Sequence, residues 1–251
     1  MDTALFNTLL AWADDQLVLG HRLSEWTGKA HVLEEELALA NMGLDLIGQA
    51  RNLYQYAADV EDAGRDEDKL AYLRTEREYR NLLLVERPNT DFAHTMLRQF
   101  YYAAFMQRYW AELTHSGDTR IAAIAAKATT EMQYHRRHSA EWVVRLGDGT
   151  DESADRMATA VDALHRYTGE LFECNADLQA LVDAGITAHP ERIRAAWETD
   201  VAAIFARASL ALPESEPYMQ RGGRDGLHTE SLGFLLAEMQ YLQRSFPGQT
   251  W

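Results

Sequence analysis

Proline is the residue that most constrains this chain. The five prolines sit at 88, 190, 213, 217 and 247, so 1–87 and 89–189 are free of the one residue that removes a helical hydrogen bond and clashes with the preceding turn. Within the first stretch, Leu33, Leu37, Ala40, Leu44, Ile47, Ala50 and Tyr54 recur at steps of three and four, the pattern of one buried helical stripe. No period-two alternation marks a strand. The expectation is an all-α chain with helices near 3–24, 33–60, 67–85, 91–115, 119–146, 152–184, 190–210 and 229–245.

The breaks between these segments have chemical causes. Asp62-Ala-Gly-Arg-Asp is acidic and glycine-containing, Arg87-Pro-Asn-Thr-Asp and Ser116-Gly-Asp-Thr offer side-chain caps, and Gly147-Asp-Gly-Thr-Asp-Glu-Ser pairs a glycine stop with a new start. Pro213 to Arg224 is the longest irregular stretch. Long helices with short connections favour antiparallel neighbours, and a four-helix core with flanking helices is the economical arrangement. No linker divides the chain, so 1–251 reads as a single domain. The segment from Asp91 to His115 carries Phe92, Phe100, Tyr101, Tyr102, Phe105, Tyr109 and Trp110 on more than one face, which places it at the centre of the bundle or under another subunit.

Charge narrows the partners. With 24 Lys and Arg against 39 Asp and Glu, the net charge of −15 repels nucleic acid and anionic membrane surfaces. Met1 to Leu10 has neither a basic nor an apolar leader region, nowhere do about 18 apolar residues run together, and Cys174 is the single cysteine, so no internal disulfide forms. The chain reads as cytoplasmic.

The residues alone reveal no convincing active site. Paired metals in helical bundles take Glu-x-x-His from each of two helices, but here that motif occurs once, at Glu112 and His115, against the Ser116-Gly117 turn. Asp91-x-x-His94 and Asp162-x-x-His165 share the spacing, and the first opens a helix, where Asp caps. Glu131, His135 and His138 stand on neighbouring turns of one helix and form the alternative: one metal ion in an oxidase or hydroxylase acting in its own right. Glu34, Glu35 and Glu36 suit a helix start, and Gly222-Gly223-Arg224 matches neither a phosphate-binding loop nor a dinucleotide fingerprint.

A resemblance is carried by Trp12-Ala-Asp-Asp, Gly20-His-Arg-Leu-Ser-Glu-Trp26, Leu33-Glu-Glu-Glu-Leu-Ala-Leu-Ala-Asn41, Leu44-Asp-Leu-Ile-Gly-Gln-Ala-Arg51, Arg145-Leu-Gly-Asp-Gly-Thr-Asp-Glu-Ser153, Gly222-Gly-Arg-Asp-Gly-Leu-His-Thr-Glu230 and Leu235-Leu-Ala-Glu-Met-Gln240. These runs, spread from end to end, are similar to the C subunits of multicomponent phenylacetyl-CoA epoxidases. The resemblance implies a ferritin-like four-helix bundle with flanking helices, acting as a non-catalytic structural subunit of a bacterial monooxygenase that epoxidises the ring of phenylacetyl-CoA in phenylacetate catabolism. It implies as partners a catalytic di-iron ferritin-like subunit, a small accessory subunit, and a reductase bringing FAD, an iron-sulfur cluster and NADPH. Aligned with the catalytic sister, its iron ligands fall here on Gln16, on Leu46 and Gln49, near Ala103, and on Met132 and His135, so only His135 keeps a ligand's chemistry. The resemblance therefore implies no catalytic, cofactor or metal residue in this chain, with Gln16, Gln49 and His135 expected to hydrogen-bond one another where a metal would sit.

Overall fold

A computed structural model of the chain describes residues 2–213 and 218–249. Helices α1 (Thr3–Ser24), α2 (Leu33–Glu61), α3 (Glu67–Tyr72), α4 (Leu83–Glu86), α5 (Phe92–Leu113), α6 (Thr119–Gly147), α7 (Asp151–Leu164), α8 (Ala176–Asp183), α9 (Glu191–Arg207), α10 (Glu230–Met239) and α11 (Tyr241–Ser245) leave no strand among the described residues. The chain is all-α with a ferritin-like helical bundle fold. It divides into two compact units, 1–88 with 222–251, and 89–221.

The first unit is built on the α1–α2 hairpin. Asp2 starts α1 by accepting from the Leu5 amide at 3.1 Å. The two helices cross where Gly20 faces Gly43; a side chain at Gly20 would bring its Cβ within 3.0 Å of Ile47 Cγ1 and 3.2 Å of the Gly43 carbonyl, so glycine permits the approach. The chain then returns after residue 221 to lay α10 and α11 on this unit.

One expectation fails here for a clear reason. The helix foreseen over 67–85 breaks into α3, a 3-10 turn at Glu76–Glu78 and α4, because carboxylates of α1 take up the intervening backbone. Asp14 accepts from the Arg80 amide at 2.8 Å and Asp15 from the Leu82 amide at 2.7 Å, and the Thr75 amide turns to the Glu78 carboxylate at 2.7 Å. The helix foreseen over 229–245 is likewise interrupted at Gln240, whose amide nitrogen donates to the carbonyls of Arg74 at 2.9 Å and Ala71 at 3.2 Å.

The second unit packs α5 along α6, with α7 and α9 against them. Asp91 caps α5 through the His94 amide at 2.8 Å, and Asp118 caps α6 through Arg120 and Ile121 at 2.9 and 3.0 Å. As its aromatic content led us to expect, α5 is central: Phe100, Tyr101, Tyr102 and Trp110 are fully buried. Tyr101 packs among Trp197, Phe205 and His165, with ring centroids 5.6, 6.1 and 5.9 Å away. The helix foreseen over 152–184 splits into α7, two 3-10 turns and α8. Gly169 lies against Met219, where a Cβ would approach within 2.9 Å, and Asn175 starts α8 by capping Leu178 at 2.9 Å. Of the irregular stretch expected from Pro213 to Arg224, 214–217 lie outside the described residues, and a 3-10 turn at Gly223–Asp225 takes up its end.

Candidate functional site

Of the positions singled out by the resemblance, Gln16 lies on α1 and Leu46 and Gln49 on α2, in the first unit. Gln16, Leu46 and Gln49 are buried, and neither amide atom of Gln16 has a hydrogen-bond partner among the described residues. The carboxylates beside Gln16 are committed elsewhere. Asp14 holds the Arg74 guanidinium, the Tyr54 hydroxyl and the Arg80 amide. Asp15 pairs with Arg224 at 2.7 Å as well as with the Leu82 amide. Burial raises Asp15 to about 6, against the opposing pull of the Arg224 charge. Burial works against the charged form of Arg74, yet Asp14 outweighs it and the guanidinium is held more firmly charged than usual.

In the second unit, His135 on α6 is fully buried beside Met132, and Ala103 on α5 is also buried. The polar partner of His135 is Gln99, whose side-chain nitrogen lies 3.2 Å from Nδ1. Gln99 stands one helical turn before Ala103 and was missed in the sequence; the signal was a third glutamine on an aromatic face, at the spacing that turns it the same way. Gln16 makes no part of the hydrogen bonding expected of it with His135.

The remaining candidates make local contacts. Glu131 bridges to Lys127 at 3.2 Å, and His138 lies beside the Tyr134 ring at 5.9 Å. His94 Nδ1 meets its own cap, Asp91, at 2.8 Å. His165 Nδ1 sits 3.3 Å from the Tyr101 hydroxyl, and burial lowers its pKa. Glu112 and His115 flank the end of α5 at Leu113. Glu34, Glu35 and Glu36 occupy the first turn of α2.

A buried joint the sequence reading did not foresee lies at Glu86. Its side chain accepts from the Thr229 amide at 2.7 Å and from Asn81 Nδ2 at 2.9 Å, and meets His228 Nδ1 at 2.8 Å. His228 Nε2 faces the Tyr79 carbonyl at 3.0 Å. Both ring nitrogens thus face acceptors, which only an imidazolium satisfies. Burial opposes that charge, but Glu86 outweighs burial and raises the His228 pKa. Arg22, inside the same core, donates to the Glu86 carbonyl at 2.8 Å and to the Ser231 carbonyl at 3.0 Å. The glycine-punctuated run Gly222-Gly223-Arg224-Asp225-Gly226-Leu227-His228 was the available signal. Gly223 lies so close to the Asn81 carbonyl that a Cβ would stand 2.2 Å from it, which lets Arg224 and His228 reach the core.

Gln16, Leu46 and Gln49 in the first unit, and Ala103 and Met132 in the second, carry no anionic charge to offset an iron ion, and among the described residues no three His, Cys, Asp or Glu side chains gather as a metal-holding set. No helix among them is long and apolar enough to cross a membrane.

Known proteins share this outline. The family described as phenylacetic acid catabolic protein matches residues 1–251. A relative from Escherichia coli (strain K12), the C subunit of 1,2-phenylacetyl-CoA epoxidase, is 50% identical over 242 residues, covering 96% of this chain and 97% of its own. A match spanning the whole chain, on an all-helical fold, establishes that this protein belongs to the phenylacetic acid catabolic family.

Proposed function

We propose that this chain is the non-catalytic structural subunit of a cytoplasmic phenylacetyl-CoA epoxidase, pairing with and stabilising a ferritin-like sister subunit that holds the di-iron centre. The observation that carries this reading is the donor set at the sister's ligand positions: Gln16, Leu46, Gln49, Ala103 and Met132, with His135 alone retained and bonded to Gln99. Apart from His135, these side chains bring neither a carboxylate nor an imidazole, so they offer little to offset or ligate a cation. The relative's description as one subunit of an epoxidase supports the reading, as does the coverage of 1–251 by one family, which also favours a single domain. The electron supply, FAD, an iron-sulfur cluster and NADPH, belongs in this reading to a reductase, and a small accessory subunit joins the complex.

Co-expression tests it. This chain is expected to co-purify with the sister subunit as a stable hetero-oligomer, and omitting it is expected to abolish epoxidation and lower the sister's solubility. Turnover of phenylacetyl-CoA by the sister and reductase alone at the full rate would overturn the proposal. Failure of the two chains to associate would do the same.

A further inference from the structure

The second unit contains a groove of about 520 Å³ between α5, α6 and α9, lined by Gln107, Tyr134, Arg136, Arg137, Ile204 and Arg207 among others. Three guanidiniums meeting in one concavity is unusual on a chain of net charge −15. Arg136 is fixed in place: it donates to Gln107 Oε1 at 3.0 Å and pairs with Asp200 at 2.9 Å, and Arg108 holds the other Asp200 oxygen at 2.8 Å. Arg137 and Arg207 have no carboxylate partner among the described residues, although Glu141 also lines the groove. Arg137 lies over the Tyr134 ring, 5.8 Å from its centroid, and Tyr134 is partly exposed to the groove.

We propose that this groove binds the nucleotide end of an acyl-CoA thioester, Arg137 and Arg207 taking its phosphates and Tyr134 its adenine. Guanidiniums bind phosphate oxygens in pairs of parallel hydrogen bonds, and an aromatic ring beside them offers a stacking surface for a base. Gln107, Gln133 and Thr130 supply donors and acceptors for its edge. The volume lies in the range of small-molecule sites. The choice of an acyl-CoA rests on the function proposed above; the binding of a nucleoside phosphate does not.

Two measurements separate those layers. Titrating the full chain alone with adenosine 3′,5′-bisphosphate is expected to give saturable binding that weakens with salt and falls about tenfold or more in the Arg137→Gln/Arg207→Gln variant. Absence of saturable binding would overturn the site, and displacement by inorganic phosphate at equal concentration would overturn the nucleotide assignment. In the complex with the sister subunit and reductase, the same variant is expected to raise KM for phenylacetyl-CoA about tenfold or more with kcat unchanged, and to leave KM for phenylacetyl-pantetheine, which lacks the nucleotide, untouched. An exposed control, Arg192→Ala, is expected to change neither. Equal effects on both thioesters would contradict the proposal, as would loss of assembly in the variant, which would make the groove a contact for an acidic partner segment.

Discussion

The two units solve the same packing problem with opposite chemistry. The unit formed by 1–88 and 222–251 is discontinuous in sequence, and its far-apart segments are joined by buried charge: Asp14 with Arg74, Asp15 with Arg224, Glu86 with His228. The unit formed by 89–221 is continuous, and its centre is aromatic: Tyr101, Trp197, Phe205 and Phe172 around α5. Apolar packing is tolerant of exchange, whereas a buried ion pair is satisfied by one partner in one place. Charge therefore specifies where a returning segment must sit, and aromatics suffice where the chain is already local.

That contrast is most sharply tested at Arg74. Arg74→Leu leaves Asp14 buried and unpaired, and is expected to cost about 3–5 kcal/mol by urea unfolding; the double variant Asp14→Leu/Arg74→Leu is expected to recover much of it, and a double variant no better than the single would break the contrast. Trp197→Phe keeps an aromatic but removes the hydrogen bond from Nε1 to the Tyr101 carbonyl at 3.0 Å, a loss of about 1–2 kcal/mol in the same measurement.

A pH series probes the joint at His228. Because its folded pKa is raised above the ordinary 6.5, its contribution is complete below pH 6.5 and is lost as pH rises through the raised value, at no more than about 1.4 kcal/mol per pH unit. Asp15, raised to about 6, has the same sign, and because it titrates alike in the parent and in His228→Gln it drops out of their difference. Urea unfolding between pH 6.5 and 8 is expected to show declining stability in the parent and a flatter profile in His228→Gln. Equal slopes would remove the imidazolium from the account. The smallest effect is at Gln16: replacing an amide without a hydrogen-bond partner by an apolar side chain of similar shape, Gln16→Met, is expected to raise stability by up to about 1 kcal/mol, readable as a higher Tm.

What the sequence made legible follows from what kind of signal each feature leaves. The long helices α1, α2, α5 and α6 appear at nearly the expected bounds because helical periodicity is a local fact, reinforced by side-chain caps on α1, α5 and α6, although Leu33, Leu37 and Leu44 of the stripe expected to be buried on α2 are exposed. The short elements between 67 and 86 were unreadable, since Asp14 and Asp15, more than sixty residues away in sequence, capture that backbone. The same distance hid the Glu86–His228 joint. The resemblance pointed to Gln16, Leu46, Gln49 and Met132, but Gln99 depended on the α5 register, which loop lengths obscure. The guanidinium groove was invisible because Arg207 and Arg137 approach only when α9 packs on α6.

We propose that this chain supports a metal-bearing sister subunit without itself holding iron. Elemental analysis of the chain purified alone, beside the co-expressed complex, tests that most directly. Far less than one iron per chain is expected in isolation, with iron in the complex following the amount of the sister chain. About two irons per chain in the isolated protein, the complement of a dinuclear bundle, would contradict it.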